Sequence, residues 1–133
     1  FVNKMNIIGN GVDIIENSRI KKSLKNKKFL NRIYSSPEIT ASKKTKNKIS
    51  FFAKRFAAKE AFVKSLGTGF RDGINFKDIS VRNNKLGRPE ICLSKNLKSI
   101  ILKKFKIKKI NIFLSLADES KYSIAYVIIN ELN

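Results

Sequence analysis

The sequence predicts one α+β domain over residues 1–133. Three observations carry that prediction. Residues 49–66 form a long helical pattern rich in aromatic and aliphatic side chains, with Gly67 as a natural terminator. Residues 110–116 and 122–129 alternate apolar and polar positions, as half-buried strands do. The 117–121 link between them is short enough for an antiparallel hairpin. No internal repeat or linker interrupts the chain, and 42% hydrophobic content in 133 residues supplies one modest core.

The remaining elements follow from local signals. Asn6–Val12 reads as a strand holding Gly9 and Gly11, with Asp13 at its end. Asn17 or Ser18 is expected to cap a helix beginning near Arg19. Ile20, Leu24, Phe29, Leu30 and Ile33 continue a loose helical pattern among lysines. Ser35-Ser36-Pro37-Glu38 is a helix start: a serine cap, proline in the first turn, then an acid. The basic stretch 41–48 has no clear period. After Gly67, Thr68 and Gly69 continue a loop; 76–81 is expected to be a strand, Asn83-Asn84 a turn and 89–93 a short strand. Ser94 caps a helix running to Phe105.

Composition narrows the chemistry. The chain has no histidine, and Cys92 is its lone cysteine. An internal disulfide, a Cys/His zinc site and a histidine-based nucleophilic triad are therefore excluded. Catalysis must rest on carboxylates, lysines, hydroxyls, or on the substrate and a metal. The net charge of +19 favours anionic partners: nucleic acid, anionic lipid, an acidic protein or a phosphorylated small molecule. Part of that charge reflects the abundance of lysine, asparagine and isoleucine expected of an AT-rich genome. No run approaches the roughly 20 apolar residues of a membrane helix. A start at Phe1 rather than methionine is compatible with a removed targeting segment, which the sequence does not itself display.

The central helix carries unusual charges. At about 100° per residue, Phe51, Phe52, Phe56, Phe62, Val63 and Leu66 fall within an arc of roughly 140°, the expected core face. Glu60 sits just beyond one edge, with Lys64 one turn later on the same face. Ala53 and Ala57 on that side would leave room for something to approach. The pair is either an ordinary i, i+4 surface contact or part of a site. Arg55 and Lys59 project into the apolar arc, where a charge is costly unless paired. Either their stems pack while their heads reach solvent, or the two cations form a phosphate site. Asp13, between apolar neighbours, is either a capping or turn aspartate or a carboxylate that needs a partner: a helix N-terminus, a lysine or a cation.

Two segments together carry a family resemblance. Gly9-Asn10-Gly11-Val12-Asp13-Ile14-Ile15-Glu16 resembles the G-x-G-x-D-I-x-E opening of bacterial-type holo-acyl-carrier-protein synthases, which are phosphopantetheinyl transferases. Arg55-Phe56-Ala57-Ala58-Lys59-Glu60-Ala61-Phe62-Val63-Lys64-Ser65-Leu66-Gly67-Thr68-Gly69 is similar to their second signature, R-F-A-A-K-E-A-x-x-K-x-x-G-T-G. Gly87-Arg88-Pro89 matches a G-[KR]-P turn, and Leu114-Ser115-Leu116 with Tyr122-Ser123-Ile124-Ala125 fits the closing hairpin. One departure is Asp118, where many members carry histidine; it puts in doubt any contact that histidine would make with coenzyme A.

The resemblance implies the 4'-phosphopantetheinyl transferase fold: a small antiparallel sheet packed with a long central helix and shorter helices. It also implies a homotrimer with active sites at subunit interfaces. It assigns Mg²⁺ (or Mn²⁺) to Asp13 and Glu60, with Asp13, Glu60 and Lys64 catalytic. It places Arg55, Lys59, Lys64, Gly67, Thr68, Gly69, Arg88, Pro89 and Ser115 around coenzyme A. The implied reaction moves phosphopantetheine from coenzyme A to a serine of apo-acyl carrier protein, releasing adenosine 3',5'-bisphosphate, in fatty acid biosynthesis. The nucleophile comes from the partner, which agrees with a chain that has no histidine. Metal coordination by one or two carboxylates suits Mg²⁺, and phosphoryl transfer mainly needs positioning and neutralised charge. Either Glu60 or Lys64 could be the base.

Acyl carrier proteins are acidic, so Arg19, Lys21, Lys22, Lys25 and Lys28 are expected to dock one. Two other readings compete: a basic nucleic-acid-binding domain, for which no binding signature is visible, and a non-catalytic carrier-protein-binding module. AT-rich codon usage with a bacterial-type synthase suggests a plastid-derived organelle (apicoplast) of a eukaryotic parasite, with a bacterial cytoplasm as the alternative.

Overall fold

The computed structural model describes residues 6–67 and 73–132. A three-stranded antiparallel sheet is built from β1 (Asn6–Glu16), β4 (Ile110–Asp118) and β5 (Tyr122–Glu131), in the order β1-β5-β4. The connecting chain contributes α1 (Asn17–Ser23), α2 (Lys27–Ile33), α3 (Ser36–Ser42) and the long α4 (Lys48–Leu66). A hairpin of β2 (Ile79–Asn83) and β3 (Pro89–Leu93) follows, then α5 (Lys95–Phe105).

The period-2 pattern of β5 sets the layering. Ser123, Ala125, Val127 and Ile129 are fully buried, while Tyr122, Ile124 and Tyr126 face outward. Helix α4 packs on the inner face, mainly against β1 and β5. Its small residues Ala53, Ala57, Ala58 and Ala61 are fully buried and let the helix approach the strands closely. The room expected beside Ala53 and Ala57 is thus filled by protein. Gly9 and Gly11 complete the approach: a Cβ on Gly9 would lie 2.0 Å from the Ser65 carbonyl oxygen, and one on Gly11 2.0 Å from that of Ala61. The first motif's two glycines therefore exist so that β1 can lie against the backbone of α4.

Helix α4 is buried nearly all round. Its other side meets Tyr34, whose hydroxyl donates to the Phe52 carbonyl at 2.8 Å, and the start of β2. Each fully buried side chain such as Phe62 or Ile129 contributes about 1.5–3 kcal/mol. Asn47 caps α4 by accepting from Ser50 N at 3.0 Å. Gly67 ends it with φ +86, a conformation costly for residues with a Cβ.

Several expectations need revision. Strand β1 continues through Asp13 to Glu16, so Asp13 is a mid-strand residue paired with Ala125. Neither Asn17 nor Ser18 caps α1; the cap position is Glu16, without a side-chain hydrogen bond. Asn17 instead donates to the Glu119 and Ser120 carbonyls and accepts from Ser123 Oγ, tying α1 to the β4–β5 turn. The loose helical pattern after it breaks into α1 and α2, with Asn26 capping the second. Residues 76–78 form a 3₁₀ turn rather than the start of a strand. The Ser35 cap, the Ser94 cap and the C-terminal hairpin match expectation, and Glu38 turns the first into a reciprocal capping box.

Candidate active site

Asp13 shares the inner face of β1 with Gly9, Gly11 and Ile15, because alternate strand residues point the same way. It therefore aims at α4. Lys64 Nζ donates to Asp13 Oδ1 at 2.9 Å and to the Val12 carbonyl at 3.1 Å. The Asp13 side chain is 17% exposed and that of Lys64 54%, so the pair sits at the mouth of the β1–α4 seam. Glu60 lies half-buried on α4, one helical turn before Lys64. The two motifs, far apart in sequence, thus place two carboxylates and an ammonium at one seam.

These residues suit a hard divalent cation. Asp13 and Glu60 offer carboxylate oxygens, the donors Mg²⁺ prefers, with no competing thiolate or imidazole. Asp13 already accepts a cation's hydrogen bond from Lys64, so its inward-facing carboxylate is placed to neutralise positive charge. Two carboxylates leave the rest of a metal shell to water and phosphate oxygens, as Mg²⁺ sites usually do.

A second region holds Arg55. A cleft of about 730 Å³ is lined by Lys44, Lys54, Arg55, Arg82, Pro89 and neighbouring apolar residues. Arg55 is 5% exposed. Its guanidinium carbon stacks 3.5 Å from the Phe51 ring centroid, and Nη1 donates to the Phe51 carbonyl at 3.4 Å. Its Nε is buried without a partner among the described residues. Burial lowers the Arg55 pKa from its ordinary value, against the opposing pull of Glu38 and Tyr34. A buried guanidinium stacked on Phe51, beside three more cations along the cleft, makes an electropositive lining suited to an anion.

Lys59 has a different place from the one expected. It is fully buried, and its ammonium donates to Glu38 Oε1 at 2.7 Å, to the Phe76 carbonyl at 3.0 Å and to the Ile79 carbonyl. All three N–H bonds are spent on protein, leaving none for coenzyme A. Burial lowers the Lys59 pKa; the Glu38 charge and hydrogen bond oppose that, and Arg55 adds to it. Burial, then Glu38, raises that of Tyr34, with Arg55 opposing.

The other expected contacts divide. Gly67 sits at the end of α4, beyond Lys64. Thr68 and Gly69 lie outside the described residues. Pro89 lines both the Arg55 cleft and a neighbouring groove of about 470 Å³ between β3 and β4, and Arg88 lines the groove alone. Ser115 is exposed on the outer face of the sheet, opposite Tyr126 and away from α4. Asp118 accepts from Ser50 Oγ and pairs with Lys54 at 3.5 Å, pinning the hairpin to the start of α4. Arg19, Lys21, Lys22, Lys25 and Lys28 are all exposed on α1, α2 and the link between them.

Sequence reasoning missed Glu38, whose capping-box role concealed its pairing with Lys59. It also missed Lys44, Lys54 and Arg82, which carry no signal apart from charge. Among the described residues, no helix is long and apolar enough to cross a membrane.

Comparison with known proteins identifies the family and the fold. The family model of the 4'-phosphopantetheinyl transferase superfamily matches residues 9–127. The chain is 58% identical to the holo-[acyl-carrier-protein] synthase of Pelagibacter ubique, covering 96% of this chain and 99% of the relative. It is 45% identical to that of Buchnera aphidicola subsp. Schizaphis graminum, covering 96% and 100%. The fold matches the crystal structure of a Bacillus anthracis holo-(acyl-carrier-protein) synthase in complex with CoA (3',5'-ADP), with a TM-score of 0.77, 35% identity, and 96% and 99% coverage. These relatives are bacterial and do not support the plastid-derived organelle. The chain belongs to the 4'-phosphopantetheinyl transferase superfamily and, within it, to the holo-[acyl-carrier-protein] synthases.

Proposed function

We propose that this enzyme moves the 4'-phosphopantetheine group of coenzyme A onto a serine hydroxyl of an apo-acyl carrier protein in fatty acid biosynthesis. The serine oxygen attacks the phosphorus bearing pantetheine. The bond from that phosphorus to the pyrophosphate bridging oxygen breaks, and adenosine 3',5'-bisphosphate leaves. The observation that carries this reading is the Asp13–Lys64 contact, which brings the two motifs to one seam beside Glu60.

Asp13 and Glu60 would hold Mg²⁺, or Mn²⁺, whose bound charge would neutralise the pyrophosphate. Lys64, one turn from Glu60 and already donating hydrogen bonds, is the donor to a phosphate oxygen as charge builds there. That role leaves Glu60 as the base receiving the serine proton, in the sense that a carboxylate on the same face accepts. The Arg55 cleft, with Lys44, Lys54 and Arg82, receives the phosphates of the adenosine end. The exposed basic residues from Arg19 to Lys28 dock the acidic carrier protein.

The homotrimer also belongs to this reading. Val12, Ile14, Phe113, Tyr122, Ile124 and Tyr126 are each 37% exposed or more on the outer face of the sheet. So continuous an apolar face marks a protein contact. Ser115 lies on it, so a neighbouring copy would receive that hydroxyl. The bacterial cytoplasm is the compartment these relatives favour.

The test is direct. Apo-acyl carrier protein is incubated with enzyme, coenzyme A and Mg²⁺, and its intact mass followed together with released adenosine 3',5'-bisphosphate. A phosphopantetheine mass gain matched by nucleotide release, and abolished by EDTA, is expected. A folded enzyme that modifies none of several carrier proteins would overturn the reading.

A further inference from the structure

We propose that Glu38 and Lys59 form a positioning pair that sets the shape of the Arg55 cleft and thereby the affinity for coenzyme A. The inference rests on the reading of that cleft as the donor site.

Three elements wall the cleft: α3 contributes Pro37 and Ala41, α4 contributes Lys54 and Arg55, and β2 contributes Val81 and Arg82. One carboxylate is bonded to all three. Glu38 Oε1 accepts from Ser35 N at 2.8 Å, at the start of α3, and from Lys59 Nζ at 2.7 Å, on α4. Glu38 Oε2 accepts from Val81 N at 2.9 Å, on β2, and Val81 is itself a wall residue. Lys59 also donates to the Phe76 and Ile79 carbonyls, fixing the chain as it enters β2. Ser35 Oγ donates to Glu38 Oε1 and lies 2.8 Å from Ser80 Oγ, so the network also reaches Ser80 on β2.

Charge makes the same connection. Arg55 and Lys59, one turn apart, are buried cations, and Glu38 is the buried carboxylate that faces both. One negative charge against two positive ones leaves an excess beside the cleft, where Arg55 Nε has no protein partner among the described residues. An apolar replacement could fill the same volume and keep the fold. It could not bond three walls in fixed directions, so the pair's distinct contribution is geometric.

The test compares Lys59→Met, the double variant Glu38→Gln/Lys59→Met and Ser80→Ala with wild type. Folding is followed by urea denaturation, coenzyme A binding by titration calorimetry, and both Michaelis constants in the transfer assay. Lys59→Met should be the least stable, and the double variant should recover much of that loss by removing the stranded charge. Both should bind coenzyme A about tenfold more weakly, with the KM for carrier protein within about twofold of wild type. A folded double variant with wild-type affinity for coenzyme A would overturn the proposal. If the double variant does not fold, Ser80→Ala decides: an affinity about two- to threefold weaker supports positioning, and an unchanged one overturns it. A folded wild type that neither binds coenzyme A nor transfers would instead remove the donor-site reading beneath the inference.

Discussion

Lys64 Nζ lies 2.9 Å from Asp13 Oδ1, a contact between residues 51 positions apart that closes the seam between β1 and α4. It depends on the glycines before Asp13. A side chain at Gly11 would collide with the Ala61 carbonyl, and that collision would lift the strand away from the helix that carries Glu60 and Lys64.

Gly11→Ala should therefore cost at least about 2 kcal/mol of stability, the scale of an overpacked core. For a chain of this size that corresponds to a fall of roughly 6–10 °C in Tm. Transfer activity of the residual folded enzyme should fall as well. Thermal denaturation checks it, and a Tm within about 1 °C of wild type would contradict the close packing.

The buried Lys59 makes a pH prediction. Its folded-state pKa is lowered from the ordinary 10.5 by burial, against the pull of Glu38. Between the lowered value and 10.5 the unfolded chain binds more protons at this site than the folded one. The stability contributed here is lowest below the lowered value and rises with pH through that window. The stability of wild type minus that of Glu38→Gln/Lys59→Met should thus rise with pH through that window, read up to about pH 9, below the range in which tyrosine titrates. Taking the difference removes most of the general lysine repulsion. A flat or falling difference would show that Glu38 fully offsets the burial.

Asp118 pairs with Lys54 while accepting from Ser50. Asp118→Asn should free the Lys54 charge toward the cleft it lines. The KM for coenzyme A should fall by about two- to threefold, while stability drops by about 0.5–1 kcal/mol, because the pair is partly exposed. Steady-state kinetics and urea denaturation read the two effects separately. An increased KM would mean that Asp118 supports the donor site rather than neutralising part of it.

The basic surface and the apolar face make separable predictions. Arg19→Glu/Lys22→Glu should raise the KM for carrier protein by about tenfold or more at low salt, with the difference shrinking as salt rises. The KM for coenzyme A should hold. Tyr126→Lys, on the outer sheet face, should reduce the sedimenting mass toward that of a single chain. A wild type that sediments as a monomer would contradict the trimer.

The sequence made the central helix, the Ser35 helix start and the C-terminal hairpin legible because each has a local signal: a 3.6-residue period, a serine–proline–acid run, a 2-residue alternation. Asp13 was legible as a carboxylate in need of a partner, but not as a mid-strand residue. Its strand continues because β5 is long enough to pair through Glu16, a tertiary fact. Lys59 was misplaced because a charge on an apolar arc looks alike whether its partner is a ligand or a buried glutamate. Glu38, which settles the matter, lies 21 positions earlier in a motif already explained by capping. The alanines of α4 read as room for something to approach, and only the glycines of β1 show that a strand fills it.

The most direct measurement is the intact mass of apo-acyl carrier protein after incubation with coenzyme A, Mg²⁺ and, in turn, wild type, Asp13→Ala, Glu60→Ala and Lys64→Ala. Each variant is first verified to be folded. Wild type should add phosphopantetheine to the carrier protein, and each substitution at the β1–α4 seam should slow that addition by about 100-fold or more. Folded Asp13→Ala and Glu60→Ala variants that transfer at the wild-type rate would contradict the assignment of this seam as the reaction centre.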